Sequence, residues 1–250
     1  MKKPKKEMLP AAEAAKSLGA GFERVGLLPG STYKDSSTVV IAPTRGEINY
    51  RVVASWQGMI GPMNQKRAFL FAQGDEVGRA YNNLIEAVLA DPELSKWKYI
   101  MTVEDDNIQP PDAHIRLLES IESLQVDAVS GIYFTKGDIN MPMAYGDPDE
   151  FSRTGVLEFK PRDIRQALER GAFMRVNGIA MGCALWRMDL FRQIKGPWFV
   201  TVADHFPGEG TKAFTQDLWF CERARRAGKT FAVDFRVKVG HLDINTGRVY

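Results

Sequence analysis

A chain of 250 residues with 44% apolar side chains can fill one substantial core, so a single soluble globular domain is expected. Lys and Arg number 33 against 31 Asp and Glu, and the net charge of +2 excludes the global field of an obligate nucleic-acid binder. No apolar run approaches the roughly 20 residues that span a bilayer, and the basic start lacks the apolar region of a signal peptide, so a cytoplasmic location with no membrane contact is expected.

Residues 1–37 read as a basic tail and connector. MKKPKKEM places Lys2, Lys3, Lys5 and Lys6 in a stretch without apolar periodicity, a solvated arm before a short AAEAAKSL helix and the Gly/Pro-bearing LLPGSTYKDSS. The ordered domain, residues 38–250, is expected to open at STVVIAPTRG, where a β-branched run ends at Pro43 and Gly46 as a buried strand giving way to a loop. RAFLFAQG repeats that pattern. GRAYNNLIEAVLADP then puts Tyr81, Leu84, Ile85, Val88 and Leu89 on one helical face before Pro92.

KYIMTV is the third strand and runs directly into Glu104, Asp105 and Asp106. PPDAHIRLLESIESL restarts a helix with an apolar stripe at Leu117, Leu118, Ile121 and Leu124, and VDAVSGIYF is a fourth strand. Residues 136–172 lose regularity, with a helix-like PRDIRQALERG near their end, and read as an insertion over a site. NGIAMGCALWRMDLFRQI reads as a small-residue turn and an apolar helix. WFVTVADHFPGEGTKAFTQD reads as a Gly-rich aromatic loop able to close over a ligand, and a helix from Gln216 to Ala227 follows it. TFAVDFRVKVGH ends the core, with Phe231, Val233, Phe235, Val237 and Val239 alternating against Ala232, Asp234, Arg236 and Lys238. Strands alternating with helices give an α/β, Rossmann-like domain with a mainly parallel sheet flanked by helices, whose ligands bind beyond the strand ends.

Three adjacent carboxylates at a strand end repel one another, and a divalent cation is what would hold them together. Mn2+ or Mg2+ suits a short acidic cage completed by substrate phosphates. A solvated acidic turn ahead of the next helix explains a bare triplet equally well; placement after a buried strand favours the ion. Cys183 and Cys221, in apolar surroundings, read as reduced buried thiols. Trp186, Trp198, Trp219 and Phe206 could form a sugar or base platform, at least two of them serving the core instead.

VIAPTRG, GRAYNN, VEDDN, GIAMGCALWRMDLF, TQDLWFCERARRAG and VGHLD, in that order across residues 38–243, together resemble the motifs of the GT-A-fold, family-2-like glycosyltransferases. The resemblance implies a metal-dependent transfer of a sugar from a nucleotide-diphosphate sugar, by preference a UDP-sugar. Pro43, Thr44 and Arg45 match the segment that cradles the base. Arg79 with Asn82 or Asn83 matches a pair that holds nucleotide and phosphates. Glu104, Asp105 and Asp106 match the D-x-D site, with Asp106 as metal ligand, Glu104 or Asp105 near the ribose, and Glu104 standing in place of the usual first Asp. His241 in VGHLD stands where the family places a metal-binding His. Asp217 in TQD matches the general base of inverting members, with Gln216 in place of their Glu.

For the acceptor, the lysine arm and the insertion resemble phage-type enzymes that glycosylate hydroxymethylated pyrimidines in double-stranded DNA, which would work in the host cytoplasm. A soluble glycan or small-molecule acceptor, a nucleotidyltransferase and a non-catalytic nucleotide-sugar binding module are the rival readings. Against the nucleotidyltransferase stands APTRGEINY, a poor version of its phosphate loop.

Overall fold

The β-branched run of STVVIAPTRG is buried from Thr38 to Pro43 and forms β1 (Thr38–Thr44), with parallel neighbours on both sides, β2 (Arg67–Gln73) and β3 (Tyr99–Val103). The structure, a computed structural model, describes residues 35–206 and 210–250. The lysines of the tail and the AAEAAKSL segment lie outside them. Ser36–Tyr250 form one compact unit.

The remaining strands in chain order are β4 (Asn107–Ile108), β5 (Ala128–Ile132), β6 (Ala144–Tyr145), β7 (Phe173–Val176), β8 (Gly178–Ile179) and β9 (Cys183–Arg187), then β10 (Val202–Phe206), β11 (Gly210–Phe214), β12 (Phe231–Lys238) and β13 (Gly240–His241). The helices are α1 (Tyr50–Gln57), α2 (Val77–Ala90), α3 (Ala113–Ser123), α4 (Pro148–Thr154), α5 (Arg165–Arg170), α6 (Met188–Gln193) and α7 (Gln216–Arg226). Seven strands make the central sheet in the order β2-β1-β3-β9-β5-β12-β7. Only β9 and β7 run against the rest, so the sheet is mainly parallel in strand direction, as expected.

Alternation along each strand divides the core into two apolar layers. Val39 and Ile41 of β1, Ile100 of β3 and Trp186 of β9 face the layer filled by Tyr81, Leu84, Ile85 and Val88 of α2 and by Phe220 and Cys221 of α7. Val40, Ala42, Met101 and Leu185 face the layer filled by Val52 and Trp56 of α1 and by Leu117 and Ile121 of α3. Trp186 sits at the centre of the first layer, with the rings of Phe191, Phe199, Phe220 and Phe231 around it at 5.7–6.2 Å, and its Nε1–H donates to Thr102 Oγ1 at 3.0 Å. Trp186 and Trp198 are therefore core residues, and both cysteines are free and buried.

Three sequence expectations need correction, and one helix was missed. GCALWR is not the passage from a turn into a helix: β9 is a central strand, antiparallel to both β3 and β5, and its two buried faces hide the polar alternation that would have marked it. α1 went unread, although Asn49 caps it by accepting from Arg51 N–H and Val52 and Trp56 make an i, i+4 apolar pair. The segment from Val202 to Phe214 is not a loop but carries the antiparallel ladder of β10 and β11.

β12 does not keep one phase to its end. Phe231, Val233 and Phe235 face the α2/α7 layer, whereas Val237 and Val239 face the other. A register shift against β5 between Asp234 and Lys238 causes the change, and Gly131 of β5 allows it, since a Cβ there would lie 2.7 Å from Val237 Cγ1. The bulge turns the chain end toward the end of β3. Ala232 and Asp234, expected on a polar face, are buried because α3 covers that face. Asp234 accepts from Ser120 Oγ at 2.6 Å and from Arg236 Nη2 at 2.9 Å.

His114 of α3 is buried, and its Nε2 lies 3.0 Å from Thr38 Oγ1, whose own proton goes to Ser36 O. Burial first, and then the charge of Arg67, push this imidazole from 6.5 down to about 4. The folded form thus binds the proton less readily than the unfolded chain does, so the stability from neutral His114 is complete above pH 6.5 and is lost as pH falls through 4. Urea unfolding at pH 7 and at acid pH is expected to show this loss, up to about 3 kcal/mol, and His114→Gln is expected to flatten that part of the profile.

Candidate functional site

The last residue of β3, Val103, is buried, and its carbonyl accepts the Tyr81 hydroxyl at 3.1 Å, which fixes the strand end against α2. Beyond it the chain makes a tight turn closed by Asn107 N–H donating to Glu104 O at 3.1 Å. Glu104, Asp105 and Asp106 occupy this turn and are half-buried. Asp105 Oδ2 accepts from Arg45 N–H at 3.2 Å, joining the loop after β1 to the acids.

The end of β12 meets the same turn. β13 pairs antiparallel with β4, setting His241 opposite Asn107, and Leu242 N–H donates to Asp106 O at 2.7 Å. His241 Nε2 consequently lies 3.6 Å from Asp106 Oδ2. Its other nitrogen, Nδ1, lies 2.7 Å from Phe134 O. A carbonyl can only accept, so Nδ1 carries a proton and Nε2 is the ring nitrogen turned toward the carboxylate. An imidazole nitrogen and a carboxylate oxygen thus face each other within reach of a single cation. Lys136 Nζ also reaches Asp106 Oδ2, at 2.5 Å.

The charges sort the three acids. Burial, followed by the fields of Asp106, Asp217 and Asp105, pushes Glu104 up to about 8. Burial also opposes ionisation of Asp106, but the approach of His241 and Lys136 outweighs it and holds Asp106 below the usual carboxylate range. Asn107 is fully buried beneath them. With its amide nitrogen turned to the acids it donates to Glu104 Oε2 and Asp106 Oδ1, each at 3.2 Å. Gly182 makes room for this: a Cβ there would sit 2.7 Å from Asn107 Cγ and 2.8 Å from the Tyr133 hydroxyl, which itself accepts from Gly182 N–H at 2.8 Å. Of the small residues in GIAMGC, Gly182 serves close packing under the acids and Gly178 close packing against Phe159 and Leu218.

Pro43, Thr44, Arg45, Glu104, Asp105 and Asp106 line one cleft of about 380 Å³, together with Asp75, Val77 and Gln216. Arg79 and Asn83 stand just outside it, exposed, and both engage Asp75: Arg79 Nη1 at 3.8 Å and Asn83 Nδ2 at 3.1 Å. Asn82 has a different partner set. Its Nδ2 donates to Phe199 O at 2.7 Å and its Oδ1 accepts from Trp198 and Phe199 N–H, so both ends of the amide are spent pinning the loop before β10. Asp217 opens α7 and is half-buried, accepting from Leu218 N–H at 2.9 Å. Burial raises it above the ordinary carboxylate range, against the lowering effect of Thr215 and of backbone N–H groups.

Asp75, Asn107, Lys136 and Tyr133 were not singled out in the sequence. Asn107 follows the acids directly and could have been read with them. Lys136 lies 30 residues from Asp106 in the chain, and no local pattern signals their meeting. Among the described residues, no three His, Cys, Asp or Glu side chains converge into a metal cage; Asp106 and His241 meet as a pair.

No protein-family model matches this chain, and no curated protein matches it in sequence. Solved structures do resemble it. A197 from STIV superposes with a TM-score of 0.56 at 13% identity, over 85% of this chain and 92% of that one. GalNAc-T7, solved with UDP, GalNAc and Mn2+, gives a TM-score of 0.51 at 10% identity, over 83% of this chain and 43% of that one. The fold is that of the GT-A glycosyltransferases. In GT-A terms the acids stand after β3 of a mainly parallel sheet, and the likeness at these identities concerns the fold.

Gly182→Ala is expected to displace Asn107 and Tyr133 and to destabilise the protein by about 1–3 kcal/mol in chemical denaturation, because the overpacked atoms are buried on every side. Gly155→Ala, exposed with nothing within 4 Å but at φ 71, would show instead the cost of left-handed backbone strain without overpacking.

Proposed function

We propose that this chain is a metal-dependent glycosyltransferase that moves a sugar from a nucleotide-diphosphate sugar, by preference a UDP-sugar, to an acceptor hydroxyl with inversion. The observation that carries the proposal is the placement of His241 Nε2, oriented through the contact of Nδ1 with Phe134 O and set 3.6 Å from Asp106 Oδ2 beside the cleft. A carboxylate oxygen and an imidazole nitrogen at that separation fit Mn2+ or Mg2+, with water and diphosphate oxygens filling the remaining positions. When bound, the ion would supply Lewis-acid neutralisation of the leaving diphosphate.

The rest of the chemistry belongs to side chains. The Pro43, Thr44 and Arg45 loop, tied to Asp105, would hold the nucleoside, with Glu104 or Asp105 at the ribose. Arg79 and Asn83 would approach the phosphates from the rim through Asp75, whereas Asn82 would act indirectly, by fixing the loop at Phe199. Asp217 would take the proton of the acceptor hydroxyl as it attacks the anomeric carbon, and its raised affinity for protons suits a base. GalNAc-T7 was solved with UDP, GalNAc and Mn2+, which supports the same donor and metal classes here. As acceptor, the proposal keeps a hydroxymethylated pyrimidine of double-stranded DNA, on the sequence alone, since the lysine arm lies outside the described residues.

Incubation with UDP-sugars and Mn2+ is expected to give transfer or slow donor hydrolysis that chelation abolishes. Asp106→Asn and His241→Ala are each expected to lower the rate by at least ~10²-fold with the circular dichroism spectrum unchanged. Asp217→Asn is expected to lose on the order of 10²–10⁴-fold in kcat while still binding UDP. Full activity of Asp106→Asn in chelator would overturn the metal reading, and UDP binding without any turnover would leave a binding module. Transfer to hydroxymethylpyrimidine duplex but not to unmodified duplex is the outcome the DNA acceptor requires.

A further inference from the structure

Among the described residues, Lys136 supplies the ammonium that touches Asp106, and it does so at Oδ2, the same oxygen that faces His241 Nε2. The contact is built rather than incidental. Residues Thr135 to Met141 form a closed turn: Thr135 N–H donates to Met141 O at 2.9 Å, Thr135 Oγ1 donates to Ile139 O at 3.1 Å, and Met141 N–H donates back to Thr135 Oγ1 at 2.9 Å. Gly137, at φ 110, makes the bend immediately after the lysine. The turn begins one residue beyond Phe134, whose carbonyl orients His241. One short segment therefore sets both the imidazole and the ammonium around one carboxylate oxygen. The carboxylates of Glu104 and Asp243 also lie within the field of Lys136, so the ammonium neutralises a locally acidic site.

Charge balance across the cleft gives the lysine a second role. Its described lining has four carboxyl groups, from Asp75, Glu104, Asp105 and Asp106, against the single cation Arg45, so acids outnumber bases even with Glu104 protonated. A diphosphate entering such a cleft meets like charge and needs cations brought to it. Resting on the glycosyltransferase reading above, we infer that Lys136 is an internal stand-in for the divalent ion: it holds Asp106 Oδ2 while the site is empty of substrate, gives that oxygen up to the ion, and then binds the diphosphate of the donor. Lysine suits the exchange, since its ammonium is a point charge on a flexible four-carbon stem that can change partners without moving the backbone.

The exchange makes metal and nucleotide binding interdependent. Without a diphosphate, the ion must displace an ammonium that has nowhere favourable to go. With UDP present, the displaced ammonium gains a phosphate partner, so each ligand strengthens the other by the same factor. Removing the lysine charge removes the competitor and the coupling together.

The test measures Mn2+ binding by electron paramagnetic resonance, with and without UDP, in the wild-type protein and in Lys136→Met and Lys136→Arg. Wild-type protein is expected to bind Mn2+ weakly alone and at least about tenfold more tightly with saturating UDP, within the range usual for coupled sites. Lys136→Met is expected to bind Mn2+ alone at least about tenfold more tightly than wild type, to lose most of the enhancement by UDP, and to bind UDP less well. Lys136→Arg is expected to stay near wild type. A gain in metal affinity is not a result that local damage produces. Wild-type binding of Mn2+ with Lys136→Met no tighter than wild type overturns the inference and leaves the glycosyltransferase reading standing. Absence of Mn2+ binding in every folded variant, with and without UDP, overturns both.

Discussion

The site depends on one short piece of backbone pairing. β3 and β12 are separated in the sheet by β9 and β5, so the residues that follow them would ordinarily emerge two strands apart. The ladder of β4 and β13 closes that gap, and Leu242 N–H bonded to Asp106 O at 2.7 Å locks it. What aims the chain end across the sheet is the bulge in β12, where the facing of apolar residues changes from Phe235 to Val237. Strand bulges commonly bend a strand next to a site and redirect a side chain, and here the redirected side chain is His241.

The same geometry explains how a protein tolerates four carboxylates in one cleft. Each is restrained by a different device. Asp105 accepts a backbone N–H from the β1 loop, Asp106 has Lys136 and His241, Glu104 faces the buried amide of Asn107, and Asp75 gathers Arg79 and Asn83. The packing beneath serves this arrangement, because Gly182 and Tyr133 leave the amide of Asn107 one position to occupy. Stability given up to like-charge repulsion is a common mark of a binding site, where the missing counter-charge arrives with the ligand. That physical tension, more than the fold, supports reading the acids as functional.

Elements with strong local signals were legible in the chain. The buried run of β1, the apolar stripe of α2 and the stop of α7 before Gly228 follow from side-chain periodicity and backbone chemistry that act within a few residues. β9 was not legible, because a strand buried on both faces between antiparallel neighbours shows a continuous apolar run that a helix could also own. The candidate site divided in the same way. The acids announced themselves by adjacency, whereas Lys136 lay in a turn-rich stretch and its partner is 30 residues earlier. Asn82, read for its position in GRAYNN, proved to be engaged at both ends of its amide by the backbone at Trp198 and Phe199, a use that no spacing could convey.

The amino-acid order by itself determined the alternation of strands and helices, the two-layered apolar material that covers both faces of a mainly parallel sheet, and the charge concentrated at the end of the third strand. Those features arise from interactions between near neighbours in the chain. Tertiary structure alone decided that an imidazole 135 residues after Asp106 would face it, which nitrogen of that ring would be turned to the carboxylate, and which lysine would share its oxygen. The physical reason is that a strand bulge, a two-residue ladder and a carbonyl 107 residues from His241 set those positions, and each acts across the fold rather than along the chain.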